Sequence, residues 1–424
     1  MNAEQLKASI LQQAIEGKLV PQFDSEESVT QIEGELKNPP FVIPRNWKWT
    51  TLNAVGKWKA GGTPSRSVTE YYENGTIPWL KTGDLTDGKV SVVEEYITKL
   101  GVENSSAHIN PKGAVLIAMY GATIGKIGIL EMDCATNQAC CACVVKEEVV
   151  SNWYLFYYLL SQRKGFISLG AGGAQPNISR TKIINYPIPV PPLDEQKRIV
   201  AKVEELLPLI EAYGKSYDRI QELNAELPGK LKASILQEAI QGKLVPQLDS
   251  EEEVQQIGDA PKAVPFTIPE KWKWVKIKSV FTMQAGKFIS ASSIRTEGKV
   301  PCYGGNGLRG YVDEANRNGH FPLIGRQGAL CGNVHVVNGE FYATEHAVVV
   351  DCGNYGDPEC VGLFLKAMNL NQYATATAQP GLSVKKIVEL PFPLPPKSEQ
   401  VRIASKVKEL MKQVEALSGL EITS

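Results

Sequence analysis

At 424 residues, with 43% hydrophobic and 21% charged side chains, the chain is too long for one ordinary core and too apolar to be disordered, so two or three packed domains are expected. A net charge of −1 excludes a strongly basic nucleic-acid coat, and no apolar run approaches the roughly 18 residues of a membrane span. The opening MNAEQLKASILQQ lacks the basic and apolar regions of a secretion signal, so a cytoplasmic protein is expected.

The first predicted element is an amphipathic helix, LKASILQQAIEGKLVPQFDSEE from Leu6, stopped by Gly17. It returns as LKASILQEAIQGKLVPQLDSEE from Leu231, with Gly242 as the matching stop. Of 22 aligned positions only Gln13/Glu238, Glu16/Gln241 and Phe23/Leu248 differ. A duplicated surface helix with no duplicated purpose would drift, so the repeat asks for a function.

A block follows, introduced by FVIPRNWKW at Phe41. Its β-branched runs VSVVEEYI, AVLIAMYGATIGKIGIL and CACVVK lie between glycine turns and predict a mostly β domain with a helix at WYLFYYLLSQ. Cys140, Cys141 and Cys143 crowd into one of these apolar runs and read as buried thiols rather than a zinc or disulfide site. The block leaves through NYPIPVPPLDEQKRIVAKVEELL at Asn185.

A central helix then starts after Pro191–Pro192, with Asp194 as the expected N-cap. Ile199, Val203, Leu206, Ile210, Tyr213, Tyr217 and Ile220 step by four and three, the seam of a paired coil. Pro228–Gly229 predicts a break or kink before the repeated helix. The second block begins with FTIPEKWKW at Phe266, contains HFPLIGR and NVHVVNGEFYATEHAVVV, and leaves by ELPFPLPPKSEQVRIASKVKELM at Glu389. Ser398 stands where Asp194 did, and Ile403, Val407, Leu410, Val414 and Leu417 renew the seam. The lead-in segments are offset by 225 residues and the exits by 204, so the second block is 21 residues shorter. Trp47 and Trp49 in the first lead-in recur as Trp272 and Trp274 in the second, and all four are expected to pack rather than to stack on bases.

Helix, block, long helix, block, helix, with the halves of the middle helix repeated at the two ends, predicts an α+β protein: two mixed, mostly β domains separated by long coiled-coil helices in a pseudo-twofold, cyclic arrangement. The expected boundaries are 1–27, 28–190, 191–252, 253–395 and 396–424. Charge divides along the same lines. Between Phe41 and Tyr186 there are 15 Lys and Arg against 11 Asp and Glu, and between Phe266 and Leu390 13 against 10, so both blocks are mildly basic and the rest acidic.

The blocks share their framework but not their loops. AGGTPSR at Ala60 and PWLKTGDL at Pro78 correspond to AGKFISA at Ala285 and PCYGGNGLRGYV at Pro301. Such polar, glycine-rich segments supply the side chains that pair with base edges and phosphates. The candidates for DNA contact in the first block are Thr63, Ser65, Arg66, Lys81, Thr82, Tyr120, Thr123, Lys126, Gln175, Asn177 and Arg180. In the second block they are Lys287, Tyr303, Asn306, Arg309, Arg326, Gln327, Gln379, Ser383, Lys385 and Lys386.

GGTPSR, PWLKTGDL, the paired loops GGAQPNISRTKI and TAQPGLSVKKI, and PPLDEQ with PPKSEQ are together similar to motifs of the specificity (S) subunits of type I restriction-modification systems. YGGNGLRGYVDE with IGRQGALCGNV resembles one subtype of their recognition domains. The resemblance covers residues 1–418. It implies two target recognition domains, each reading one part of a bipartite, asymmetric DNA sequence, and a scaffold for two modification (M) subunits to which restriction (R) subunits add. Each copy of the repeated helix would then dock one M subunit. A type IIB-like specificity subunit and a stand-alone two-headed DNA-binding protein are the alternative readings.

No catalytic, metal or cofactor site of the chain's own is expected. GATIGK at Gly121 falls one residue short of a phosphate loop and reads as a turn between strands. His108, His320, His335 and His346 lack metal-ligand spacing and read as surface or satisfied core residues. No methyltransferase-like glycine-rich loop and no Asn/Asp-Pro-Pro-aromatic motif is found. Residues 194–223 would form a rod of about 45 Å, an upper bound of roughly 13 base pairs on the separation of the heads. Two unrelated half-sites around an unread spacer of roughly 5 to 8 base pairs are therefore expected.

Overall fold

The computed structural model describes residues 1–30, 32, 36, 38–170, 177–328, 330–375 and 380–419. The chain divides into two compact units, Met1–Ile220 and Gln221–Ser424, each with its own sheets and core. The fold is the expected mixture of mostly β heads and long helices.

In the first unit, helix α1 (Ala3–Ile15) starts at Asn2, whose side chain accepts from the Gln5 N–H while the Gln5 side chain accepts from the Asn2 N–H. It ends at Gly17 in the left-handed region, φ +71°, where the Lys18 N–H reaches the Gln13 carbonyl and the Gly17 N–H that of Ala14. Gly242 repeats this ending at φ +72°, with Lys243 on Glu238. A Cβ at Gly17 would stand 2.4 Å from Pro44 Cγ, and one at Gly242 2.4 Å from Pro269 Cγ. The stop therefore also seats the helix against the first residues of its head. Gly17→Ala is expected to cost about 2 kcal/mol from the left-handed penalty and the clash, and Gly242→Ala as much, read as a lowered midpoint in thermal denaturation.

The head is closed at its neck by strands Lys48–Thr51 and Pro187–Val190, paired antiparallel. Proline at alternate positions removes the N–H groups on the outer side, so no third strand joins. Beyond the neck lie a five-stranded sheet, in the order Gly56–Ala60, Cys140–Val145, Val115–Ala118, Ile127–Leu130, Gly88–Val90, and a four-stranded one, Glu95–Ile97, Ile77–Leu80, Cys134–Thr136, Ile109–Asn110. GATIGK is part of the turn from Val115–Ala118 to its antiparallel neighbour Ile127–Leu130. Helix α2 (Asn152–Ser161), capped by Ser151, buries Tyr154 through Leu159. Tyr154 donates its hydroxyl to the Pro189 carbonyl at 2.7 Å, fastening the helix to the neck. These side chains join Leu11, Ala14 and Ile15 of α1 in one core.

Helix α3 spans Leu193–Ile240, 48 residues, or about 72 Å at roughly 1.5 Å per residue. Two expectations fail here. Asp194 is not the N-cap: the Gln196 N–H already bonds to the Pro192 carbonyl at 2.9 Å, and Asp194 lies inside the first turn beside Lys197 Nζ at 2.8 Å. Proline has its φ preset for a helix start and needs no partner for a missing N–H. Nor does Pro228–Gly229 interrupt the helix. Proline there deletes one backbone bond, a cost of about 3 kcal/mol, while good helix formers flank it and the two ends of the helix are anchored in cores by Ile199 and Val203 and by Ala239 and Ile240. The seam is likewise only partly a coil. Ile199 and Val203 enter the core of the first head, whereas Tyr213 and Ile220 are exposed. Tyr213 donates to the Met1 carbonyl at 2.7 Å and Gln22 bonds Glu195, so α1 runs antiparallel to the first part of α3.

The second unit repeats the plan. Its neck pairs Lys273–Lys276 with Pro391–Leu394, and a six-stranded sheet follows in the order Thr282–Ala285, Ala347–Asp351, Arg317–Gly325, Val334–Ala343, Val300–Gly304, Gly307–Val312. Helix α4 (Pro358–Ala367) is capped by Asp357, and helix α5 spans Lys397–Gly419. Lys232 lies 3.4 Å from Glu415 and Gln247 2.6 Å from Glu399, so α5 runs antiparallel to the last part of α3. Ser398, expected as N-cap, again lies inside the first turn and donates to Glu251 at 3.0 Å, because the Pro396 carbonyl takes the Gln400 N–H.

Identical clamps tie each head to its helix. Trp47 Nε1 donates to Glu195 at 2.8 Å and Trp272 Nε1 to Glu399 at 2.9 Å, so these tryptophans pack in the core as expected. Arg198 pairs with Glu26, Arg402 with Glu251. Gln196 accepts from the Ser151 N–H and donates to the Val149 and Pro191 carbonyls; Gln400 accepts from Asp357 and donates to Tyr355 and Pro395. Burial pushes the Glu195 and Glu399 carboxyls above their ordinary value, against the lowering effect of the tryptophan and glutamine donors. All eight cysteines are free and buried, and burial pushes Cys134, Cys141 and Cys352 up to about 12.

Candidate nucleic-acid interface

In the first head the candidate residues gather at one end of the two sheets, where strands Gly56–Ala60, Ile77–Leu80 and Val115–Ala118 end and Cys140–Val145 begins. The turn 137–139 lies at the middle of this end. Its Asn137 N–H bonds to the Leu80 carbonyl, its Ala139 carbonyl accepts from Met119, and Gln138 accepts from the Thr63 hydroxyl. Tyr120 bridges to Asn177, Thr123 donates to the Tyr120 carbonyl at 2.9 Å, and Lys126 closes the same loop. Arg163 holds that loop from behind, bonding the Gly125 carbonyl at 3.0 Å and the Asp87 carboxylate.

Three of the basic candidates are already occupied. Arg66 lies 4.3 Å from the centre of the Tyr72 ring and 2.6 Å from Glu95, and Lys81 meets the same Glu95 at 2.6 Å. The Lys81 hydrogen bond comes first among the influences that lower the Glu95 pKa, and the same bond raises that of Lys81. Arg180 donates to the Trp58 carbonyl at 3.0 Å, an anchor for the start of its short helix. Ser65 bonds Ser67 at 2.8 Å, and Thr82 opens a one-turn helix, half-buried. Gln175 lies outside the described residues.

The second head gathers its candidates around the turn 344–346. Lys287 bridges to Thr344, the Arg326 N–H bonds to the His346 carbonyl at 2.8 Å, and Gln327 bridges to Gly381 next to Ser383. A Cβ at Gly305 would stand 3.2 Å from the Gln327 carbonyl oxygen and 3.3 Å from that of His346. Any larger residue there, at the tip of the Val300–Gly304 and Gly307–Val312 hairpin, would crowd these carbonyls. Asn306 at that tip accepts from Asn333 at 2.9 Å, and the Arg309 side chain lies over Gly304. Lys385 and Lys386 are exposed on the next short helix. Tyr303 differs from the others, its ring edge-on to Phe341 at 5.9 Å and packed on the core. Gln379 lies outside the described residues.

The two ends are one backbone frame with different side chains. Gly61 bonds to Cys140 and Gly286 to Ala347; Gly62 to Thr136 and Lys287 to Ala343; Ile178 to Met119 and Leu382 to Arg326. Tyr120–Asn177 corresponds to Gln327–Gly381. The frame equates Asn137, Gln138 and Ala139 with Thr344, Glu345 and His346. The sequence misses this, because ATNQA and ATEHA align by eye with the second turn displaced by one residue. The histidines also depart from expectation: among the described residues His108 Nε2, His335 Nε2 and His346 Nδ1 are buried without a partner, while His320 meets Glu359 at 2.9 Å.

A family model described as the type I restriction modification DNA specificity domain matches residues 44–222 and 269–422. The specificity subunit of the type I restriction enzyme EcoprrI of Escherichia coli is 32% identical over 368 residues, 84% of this chain and 86% of that one. That of EcoR124I/EcoR124II, also from Escherichia coli, is 32% identical over 159 residues, 36% of this chain and 39% of the other. In architecture the chain is similar to the crystal structure of the HsdS subunit from Thermoanaerobacter tengcongensis, with a TM-score of 0.55 at 19% identity over 92% of this chain and 95% of that one.

Proposed function

We propose, from the premise that this chain belongs to the family of type I restriction-modification DNA specificity domains, that it is the non-catalytic subunit through which such a complex reads its DNA. Each head, 28–190 and 253–395, reads one half of a bipartite, asymmetric site. The repeated helices, 1–27 with 191–252 and 396–424, set the spacing and dock two modification subunits, to which restriction subunits add. The observation that carries the reading is the shared backbone frame of the two head ends, furnished with unrelated side chains. One frame presenting two different donor and acceptor patterns suits a molecule that reads two unrelated sequences in one duplex.

The DNA contacts assigned to this surface are the candidates at the head ends, with differing roles. Tyr120, Thr123, Lys126, Asn177, Lys287, Asn306, Arg309, Arg326, Gln327, Ser383, Lys385 and Lys386 line the two ends. Arg66 and Lys81 reach DNA through a change of partner at Glu95. No helix among the described residues is long and apolar enough to cross a membrane, in keeping with action on DNA.

Methylome sequencing of cells that express this chain with its cognate modification subunit tests the proposal. The expected result is one non-palindromic motif of two specified parts around an unspecified spacer. A single continuous motif, or a palindromic one, overturns it.

A further inference from the structure

The turns 137–139 and 344–346 are central to the two DNA-facing ends, yet none of the sequence candidates lies in either of them. Each is fixed on both sides by backbone bonds: Cys140 N–H to Asn137 and Ala347 N–H to Thr344, Asn137 N–H to Leu80 and Thr344 N–H to Tyr303. Their middle residues, Gln138 and Glu345, are therefore held at the same place in the two frames. Their hydrogen-bonding characters are opposite. The Thr63 hydroxyl donates to the Gln138 side-chain oxygen, which leaves the amide NH2, a donor, on the exposed side. Glu345 offers only acceptors: its side chain is about 30% exposed, with Oε1 3.2 Å from His346 Nε2 and Oε2 shielded from solvent without a donor among the described residues.

We infer that Gln138 and Glu345 are equivalent base-reading residues of opposite polarity, Gln138 donating to an acceptor edge in one half-site and Glu345 accepting from an amino group in the other. The inference rests on the proposed function and deepens it. A carboxylate is repelled by phosphates, so a glutamate at the centre of a DNA-facing surface is not a backbone contact. Opposite a base edge it accepts from cytosine N4 or adenine N6 and rejects guanine O6 and thymine O4. Gln138, with its oxygen engaged by Thr63, selects guanine or thymine oxygens or a purine N7. Lys287, whose backbone pairs with Thr344, and Arg309, over Gly304, are the basic residues of this end that would offset the charge of Glu345 near the duplex.

The test is the methylation motif written by the full complex carrying Glu345→Gln or Gln138→Glu, with selection of binding sites from a random duplex library as a second readout. Glu345→Gln is expected to change the preferred base at one position of the second half-site by about 10- to 100-fold and to leave the first half untouched. Gln138→Glu is expected to do the converse. An unchanged motif in both variants, or a uniform loss of efficiency with every position still read as before, overturns the inference while the wild-type bipartite motif stands. Absence of a bipartite motif in the wild type instead overturns the underlying reading. If Glu345→Gln fails to assemble with the modification subunits, Gln138→Glu decides alone, since its exposed side chain supports no core contact.

Discussion

Replacing residues 41–186 by the matching segment of another member of the family is expected to change one half of the recognised sequence and to leave the other half as it was. The segment contains every described first-head candidate, the turn 137–139 and the two sheets beyond the neck. Its junctions are tolerant for a physical reason. Strand Lys48–Thr51 pairs with Pro187–Val190 through main-chain bonds, which a donor strand of different sequence can make equally well. A donor carrying its own IP-x-x-WKW lead-in also brings the tryptophan that reaches Glu195. Discrimination between a specific and a random site commonly spans about 10³ to 10⁷, so the old half-site should fall to background when it is read by the methylation motif. A change in both halves would show that the heads do not read independently.

A comparably large effect is expected from the buried carboxylates that fasten the heads. Glu195→Ala would strand Trp47 Nε1 in a buried site and release the Gln22 amide, and Glu399→Ala would strand Trp272 Nε1 and release Gln247. Each is expected to cost about 3 kcal/mol, which lowers a midpoint by about 6 to 12 °C in a unit of this size. The glutamine variants keep an acceptor and remove the charge, so they separate hydrogen bonding from ionisation. Burial raises both pKa values, which means folding favours the protonated form. That stabilisation is complete below the ordinary carboxylate pKa of 4.5 and is lost as pH rises through the elevated folded values. Glu251 works in the opposite sense: burial alone would raise its pKa, but Arg402, the Leu248 N–H and Ser398 outweigh this and lower it, so its contribution is lost only below 4.5. Between pH 5 and pH 8 the wild-type midpoint should therefore fall more steeply than that of Glu195→Gln or Glu399→Gln. Parallel slopes in calorimetry would refute the assignment.

Much of the architecture was legible in the sequence because duplication makes a chain its own alignment. The paired lead-ins, exits and helix stops appear in the structure as paired necks, clamps and left-handed glycines, and Trp47 and Trp272 occupy matching places. What the sequence misread are features decided by tertiary packing. Pro228 sits inside an unbroken helix since packing at both ends outweighs one missing bond, and Ile199 with Val203 fills a head rather than a separate coil. Asp194 and Ser398 are good caps by type, but prolines just before them already start the helix. In the candidate interface, loop composition picked out residues that gather at one end of each head yet could not see that Glu95 holds Arg66 and Lys81, or that Tyr303 faces the core. Gln138 and Glu345 were overlooked because their equivalence depends on hydrogen-bond register, which differs by one residue from the letters.

The burial of the eight thiols gives this surface a practical property. At neutral pH it is the thiolate that attacks a thiol reagent, and burial makes ionisation of Cys134, Cys140, Cys141, Cys143, Cys352 and Cys360 costly. All eight are also shielded from solvent in the folded chain. A cysteine introduced at Ser65 or Leu308, both exposed at the head ends, would be distinguished by access alone. Fluorescent or spin labels can thus be placed on either candidate surface of the otherwise native chain, turning each head into a separate optical or magnetic probe of whether that end meets DNA.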